Sequence, residues 1–300
     1  MTRKYTRNRL VILLLVAGTL LLPGSREVRA QNEKSFLWKV ESGGPVVYIM
    51  GSVHLLKKEN YPLKPGIEKA FEEADTLVVE ANIGDLKKID PQLLLAKALY
   101  PEGDSLSNHV SNETYAQVKS AAERLGLPSE AIRRQKPWML ALVLSSMEMM
   151  RLGYDSRFGV DWHFLSKAGK AKRVLELESF EYQVNLLSGF SAEEQELFLL
   201  LAMRDLENAG EQVDQLVRAW ETGDVRRMEE VLMKKLREDQ RLYPFYEKFL
   251  YHRNREMVKK IDFYLKTSGI YFVVIGAAHL IGGKGVIEML QAKGYKVQQY

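Results

Sequence analysis

No cysteine occurs anywhere in the 300 residues, which removes disulfides, thiolate metal ligands and cysteine nucleophiles together. Stability must therefore come from a packed core, and a hydrophobic content of 46% is enough to build one or two domains. A Gly-x-Ser-x-Gly elbow is also missing, which argues against a standard serine hydrolase. So is a basic block. The formal charge is +4, but residues 1–30 hold six Arg or Lys and one Glu, which leaves residues 31–300 at −1. Near-neutrality gives no electrostatic reason to invoke nucleic acid as a partner.

What the first 30 residues do contain is the layout of an export signal. Arg3, Lys4, Arg7 and Arg9 precede an apolar run over residues 10–22, and Val28-Arg29-Ala30 offers small residues for cleavage. The run has 13 residues, short of the ~20 that span a bilayer. The expectation is a signal peptide over 1–30, membrane contact only during export, and an extracytoplasmic domain over 31–300.

Two stretches then share one form. Val46-Val47-Tyr48-Ile49-Met50 leads into Gly51-Ser52-Val53-His54, and Phe272-Val273-Val274-Ile275 leads into Gly276-Ala277-Ala278-His279. Each is a β-branched run of buried-strand length followed by Gly-x-x-His, with glycine allowing a sharp turn. Residues 36–40 and 46–50, joined through Ser42-Gly43-Gly44-Pro45, predict a hairpin. Pro65, Ile67, Ala70, Phe71 and Ala74 predict an amphipathic helix, and Thr76-Leu77-Val78-Val79 a strand ending in Glu80. Strand, helix and strand over this distance make a βαβ unit, which brings His54 and Glu80 to one sheet edge.

From about 86 to 266 the pattern is a mostly helical insertion around one core strand, Arg173 to Leu177, ending in Glu178. Within it, 139–150 predicts a buried apolar helix, and Gly159-Val160-Asp161-Trp162-His163 opens another. Ser191 with Glu194 forms a capping box. The fold class is α/β: a mixed, mainly parallel central sheet with flanking helices and the large helical insertion.

Ligands bind beyond the carboxyl ends of strands in such sheets. His54, Glu80 and His279 are accordingly the candidate metal ligands. Glu178, Arg253, Asp161 and His163 are the candidate catalytic residues. Imidazoles with carboxylates suit a divalent ion, and without thiolates that means Mn, Fe, Co or Zn, which would activate water. A metal-free arrangement is equally open, with a histidine base oriented by a glutamate and Arg253 stabilising an oxyanion. Each residue also has a plain reading. Glu80 and Glu178 suit exposed strand ends, Asp161 a helix cap, His163 a core face and Arg253 a helix surface. His109 suits a solvated loop.

These motifs resemble the TraB/GumN family, which includes the Tiki metalloproteases. The resemblance runs through Gly51-Ser52-Val53-His54, Val79-Glu80, Gly159 to Phe164, Leu177-Glu178-Ser179 with Gln183, Arg253-Asn254, and Gly276-Ala277-Ala278-His279-Leu280. The family usually has Thr where Ser52 stands and often Gly where Ala278 stands, both small replacements. The resemblance implies an architecture shared with erythromycin esterases and haem-binding ChaN-like proteins. It also implies, in the Tiki branch, metal-dependent peptidase activity. The reading is therefore hydrolysis of a peptide or small molecule, with non-catalytic capture of haem or a signalling peptide in the same cleft as the competing one.

Overall fold

The computed structural model describes residues 34–84 and 90–300, with only the backbone at residue 207. The signal-like segment and residues 85–89, at the start of the expected helical stretch, lie outside the described residues.

Six strands form one sheet: β1 (Leu37–Glu41), β2 (Val46–Ser52), β3 (Thr76–Val79), β4 (Arg173–Glu176), β5 (Ile270–Gly276) and β6 (Lys296–Gln299). Their spatial order is β4-β3-β5-β2-β1-β6. β2, β5, β3 and β4 run parallel, while β1 is antiparallel to both β2 and β6. The fold is therefore a mixed α/β sheet, mainly parallel, flanked by helices. The two Gly-x-x-His strands are direct neighbours, with Gly51 opposite Ile275 and Ser52 opposite Gly276. Covered on both faces, they read as unbroken apolar runs.

The helix Pro65–Glu73 crosses from β2 to β3 and buries Ile67, Ala70 and Phe71 against the sheet. Phe71 and Phe164 then meet Phe272 of β5 at ring separations of 5.5 and 4.7 Å, so three elements share one aromatic contact. Farther along, helices Pro137–Arg151 and Ala192–Glu207 pack together. Leu106, Ile132, Leu140, Leu144 and Leu199 give that layer its own apolar core.

Two expectations need correction. The helix over 137–151 is buried along one face only: Leu140, Ala141 and Leu144 point inward while Leu142 and Met150 are exposed. β4 is an edge strand with exposed and half-buried side chains, because the sheet order leaves it one partner, β3. The helix His252–Tyr264 follows a π-helical turn at Glu247–Tyr251, in which one extra residue is accommodated per turn.

Candidate functional site

The parallel strands deliver their chemistry to one edge. Glu80 follows β3 and Glu178 follows β4, and the Glu178 N–H donates to the Glu80 carbonyl at 2.8 Å, prolonging the strand pairing. His54 follows β2, while His279 sits in the short helical turn Ala277–Leu280 after β5. Gly276 marks the centre. A Cβ placed there would lie 3.3 Å from Glu80 Oε2, 3.5 Å from His279 Cδ2 and 3.7 Å from His54 Nε2. Residues from both ends of the chain thus surround one point, and a glycine keeps it open.

Glu80 is buried and hydrogen-bonded at both oxygens. Its Oε2 accepts from the Gly276 N–H at 2.9 Å, and its Oε1 accepts from Arg253 Nη2 at 2.5 Å and Gln183 Nε2 at 2.9 Å. Arg253 Nη2 also reaches Glu178 Oε2 at 2.7 Å, its Nε reaches Oε1 at 2.9 Å, and its Nη1 donates to the Phe249 carbonyl. Burial alone would raise the Glu80 pKa. Charge on His279, Arg253 and His54, together with the Gly276 N–H, outweighs burial and holds it down to about 2.

His279 is equally buried, and its Nδ1 lies 2.5 Å from Asn254 Oδ1. Its Nε2 faces Glu80 Oε2 at 3.9 Å. Burial pushes the ring's pKa down to about 4, so it is neutral at pH 7. His54 is the opposite case, with its side chain 62% exposed. Its Nδ1 lies 2.7 Å from Asp161 Oδ2, an oxygen that Ser52 Oγ also reaches at 2.8 Å. Asp161 raises the His54 pKa to about 9, although the open face of the ring lets water screen part of that effect. Gly159 makes this pairing possible: a Cβ there would lie 2.2 Å from the His54 carbonyl, so only glycine lets the helix Val160–Ala168 start so close.

The shifts predict a stepped loss of stability in acid. His279 has its folded pKa below the unfolded 6.5, so its contribution is complete above pH 6.5 and lost as pH falls toward 4. Glu80 follows, its contribution complete above 4.5 and lost toward 2. Melting temperatures between pH 8 and 3 should therefore begin to decline below about pH 6.5, before carboxylates titrate. A flat profile down to pH 4.5 would contradict a neutral buried His279.

Two expected placements change. His163, two positions after Asp161 on the helix, points the other way: its Nε2 meets Glu68 Oε1 at 2.9 Å, outside the cluster. Arg253 is not a helix-surface residue. It is 5% exposed and commits its Nε and Nη2 to two carboxylates. His109 lies exposed in the loop before the helix Asn112–Arg124, as expected, where it bonds Asp104 and stacks on Tyr100 at 4.0 Å. Asn254, Gln183 and Ser52 were not singled out as site residues. They enter the sequence reading only as members of the family-like motifs, since amides and hydroxyls carry no distinctive spacing.

Neutral imidazole and carboxylate are the donor types a first-row divalent ion takes, and His279 Nε2 and Glu80 Oε2 face each other across one space. In chemistry the residues fit such an ion. Among the described residues, however, no three His, Asp or Glu side chains stand close enough to hold one.

A mixed α/β domain with a histidine and carboxylate cluster at its parallel-strand edge is the class this architecture defines. The chain belongs to the TraB/PrgY/gumN family, whose sequence model matches residues 36–299. It is 24% identical over 246 residues to the protein YbaP of Escherichia coli, described as uncharacterized, covering 81% of this chain and 87% of that one. It is 22% identical to metalloprotease TIKI1 of Xenopus tropicalis over 312 residues, covering 88% of this chain and 61% of that protein. Metalloprotease TIKI2 of the same animal matches at 22% identity, with 92% of this chain and 61% of the relative covered. No solved structure matches the chain.

Proposed function

We propose that this protein is an exported, metal-dependent hydrolase that cleaves peptide or related bonds. The observation that carries this reading is the pair of lone-pair donors, His279 Nε2 and Glu80 Oε2, set 3.9 Å apart at the parallel-strand edge. Two such atoms facing one space are best satisfied by a cation between them. Kinship with metalloproteases in the same family agrees with it. His279 and Glu80 would hold the ion, with His54 joining once its Nε2 gives up its proton. Such an ion supplies a Lewis acid that polarises a carbonyl and acidifies water.

The protein's own residues prepare that site. Arg253 keeps Glu80 ionised and, with Gln183 and Glu178, fixes its orientation. Asp161 orients the His54 ring and holds a proton on Nδ1. A second reading rests on the same contact: an exposed imidazole backed by a buried aspartate is a general acid or base in its own right. Residues 1–30 would direct the domain out of the cytoplasm, where a peptide or small-molecule substrate meets it.

Metal analysis of purified residues 31–300, joined to peptide-library cleavage with and without chelator, tests the proposal. Cleavage should cease with chelator and return with Mn, Co, Fe or Zn. Chelator-insensitive cleavage would favour the His54–Asp161 pair acting alone, and binding of peptide or hemin without any product would favour capture.

A further inference from the structure

The geometry points to Asn254 as a positioning residue that locks His279 in the Nδ1–H tautomer and so leaves its Nε2 lone pair facing Glu80. The orientation of the Asn254 amide does not have to be assumed. Asn254 Nδ2 donates to the Lys284 carbonyl at 2.8 Å, and a carbonyl oxygen only accepts. The amide nitrogen must therefore face Lys284, which turns Oδ1 toward His279 Nδ1 at 2.5 Å. Oδ1 only accepts as well, so the hydrogen in that contact belongs to the ring. A neutral imidazole with its proton on Nδ1 has none on Nε2.

Without this constraint the other tautomer would win. Nε2–H could donate toward the Glu80 carboxylate across the 3.9 Å gap, and the ring would lose its free lone pair on the cleft side. Asn254 has no exposed surface, so water cannot readily stand in for its amide. It also follows Arg253 directly on the helix His252–Tyr264. One helical turn thus sets both groups, Arg253 the charge of Glu80 and Asn254 the tautomer of His279.

The tautomer assignment stands by itself; its consequence for cation binding rests on the metal-dependent reading above. Long-range proton–nitrogen correlation spectra of histidine-labelled protein at neutral pH read the tautomer directly. His279 should show Nδ1 protonated and Nε2 bare, and the reverse pattern in the unsubstituted protein overturns the proposal whether or not any variant folds. Asn254→Asp, whose carboxylate still accepts, should keep the tautomer, whereas Asn254→Leu should move the proton to Nε2. Calorimetric titration with Zn or Mn should show tenfold or more weaker binding for Asn254→Leu, with Asn254→Asp closer to the unsubstituted protein. A changed tautomer with unchanged affinity would refute the positioning role. Failure of the unsubstituted protein to bind either ion, with the tautomer as stated, would instead refute the metal-dependent reading and leave the tautomer lock standing.

Discussion

Replacing Arg253 by leucine should cost about 3–5 kcal/mol of stability, because it strands two buried carboxylates without their shared cation. Domains of this size are stable by only ~5–15 kcal/mol, so the variant should denature at far lower urea concentration or fail to fold. The argument is geometric. Arg253 donates to Glu80 from Nη2 and to Glu178 from Nε and Nη2, and all three side chains are buried. Arg253→Lys should fall between, since a single ammonium cannot reproduce a planar fork. Adding Glu80→Gln and Glu178→Gln to Arg253→Leu should recover part of the loss, because the stranded groups are then uncharged. A loss below ~1 kcal/mol for Arg253→Leu would mean that water reaches the cluster and the pairing is incidental.

His54→Ala and His279→Ala should each lower hydrolysis by about 100-fold or more, and the double variant should be no worse than either, as for groups that act as one unit. Their effects on stability should differ. The His54 side chain is 62% exposed, so its loss should cost less than ~1 kcal/mol. His279 is buried, and removing it leaves Asn254 Oδ1 without its donor, a penalty of ~1–3 kcal/mol. Metal content, cleavage and urea denaturation measured on the same set separate the two kinds of effect. His109→Ala, outside the cleft, is the control for activity. Full cleavage by either cleft variant would dissolve the shared site.

The histidines were legible because both sit on a backbone signal. A β-branched run followed by glycine announces a strand end, and the strand-helix-strand spacing around Pro65–Glu73 put Glu80 at the same edge. The structure adds that β5 lies between β2 and β3, so the second motif enters the middle of the first βαβ unit. Arg253 was not legible as a buried ion, since an arginine on a helix reads as solvated until its partners on β3 and β4 are known. His163 misled for a related reason. It stands in the same motif as Asp161, but two positions along a helix turn a side chain to nearly the opposite face. The one-sided burial of the 137–151 helix was hidden by methionine and leucine, which are apolar wherever they point.

The π-helical turn at Glu247–Tyr251 gives the cleft a dependence on count as well as on identity. An α-helix advances about 100° per residue, so the additional residue in that turn sets the rotational phase of everything after it. Removing one residue there would keep Arg253 and Asn254 in the chain yet swing both away from Glu80 and His279 together. A relative that preserves Arg-Asn but shortens this turn would therefore carry the motif without the cleft.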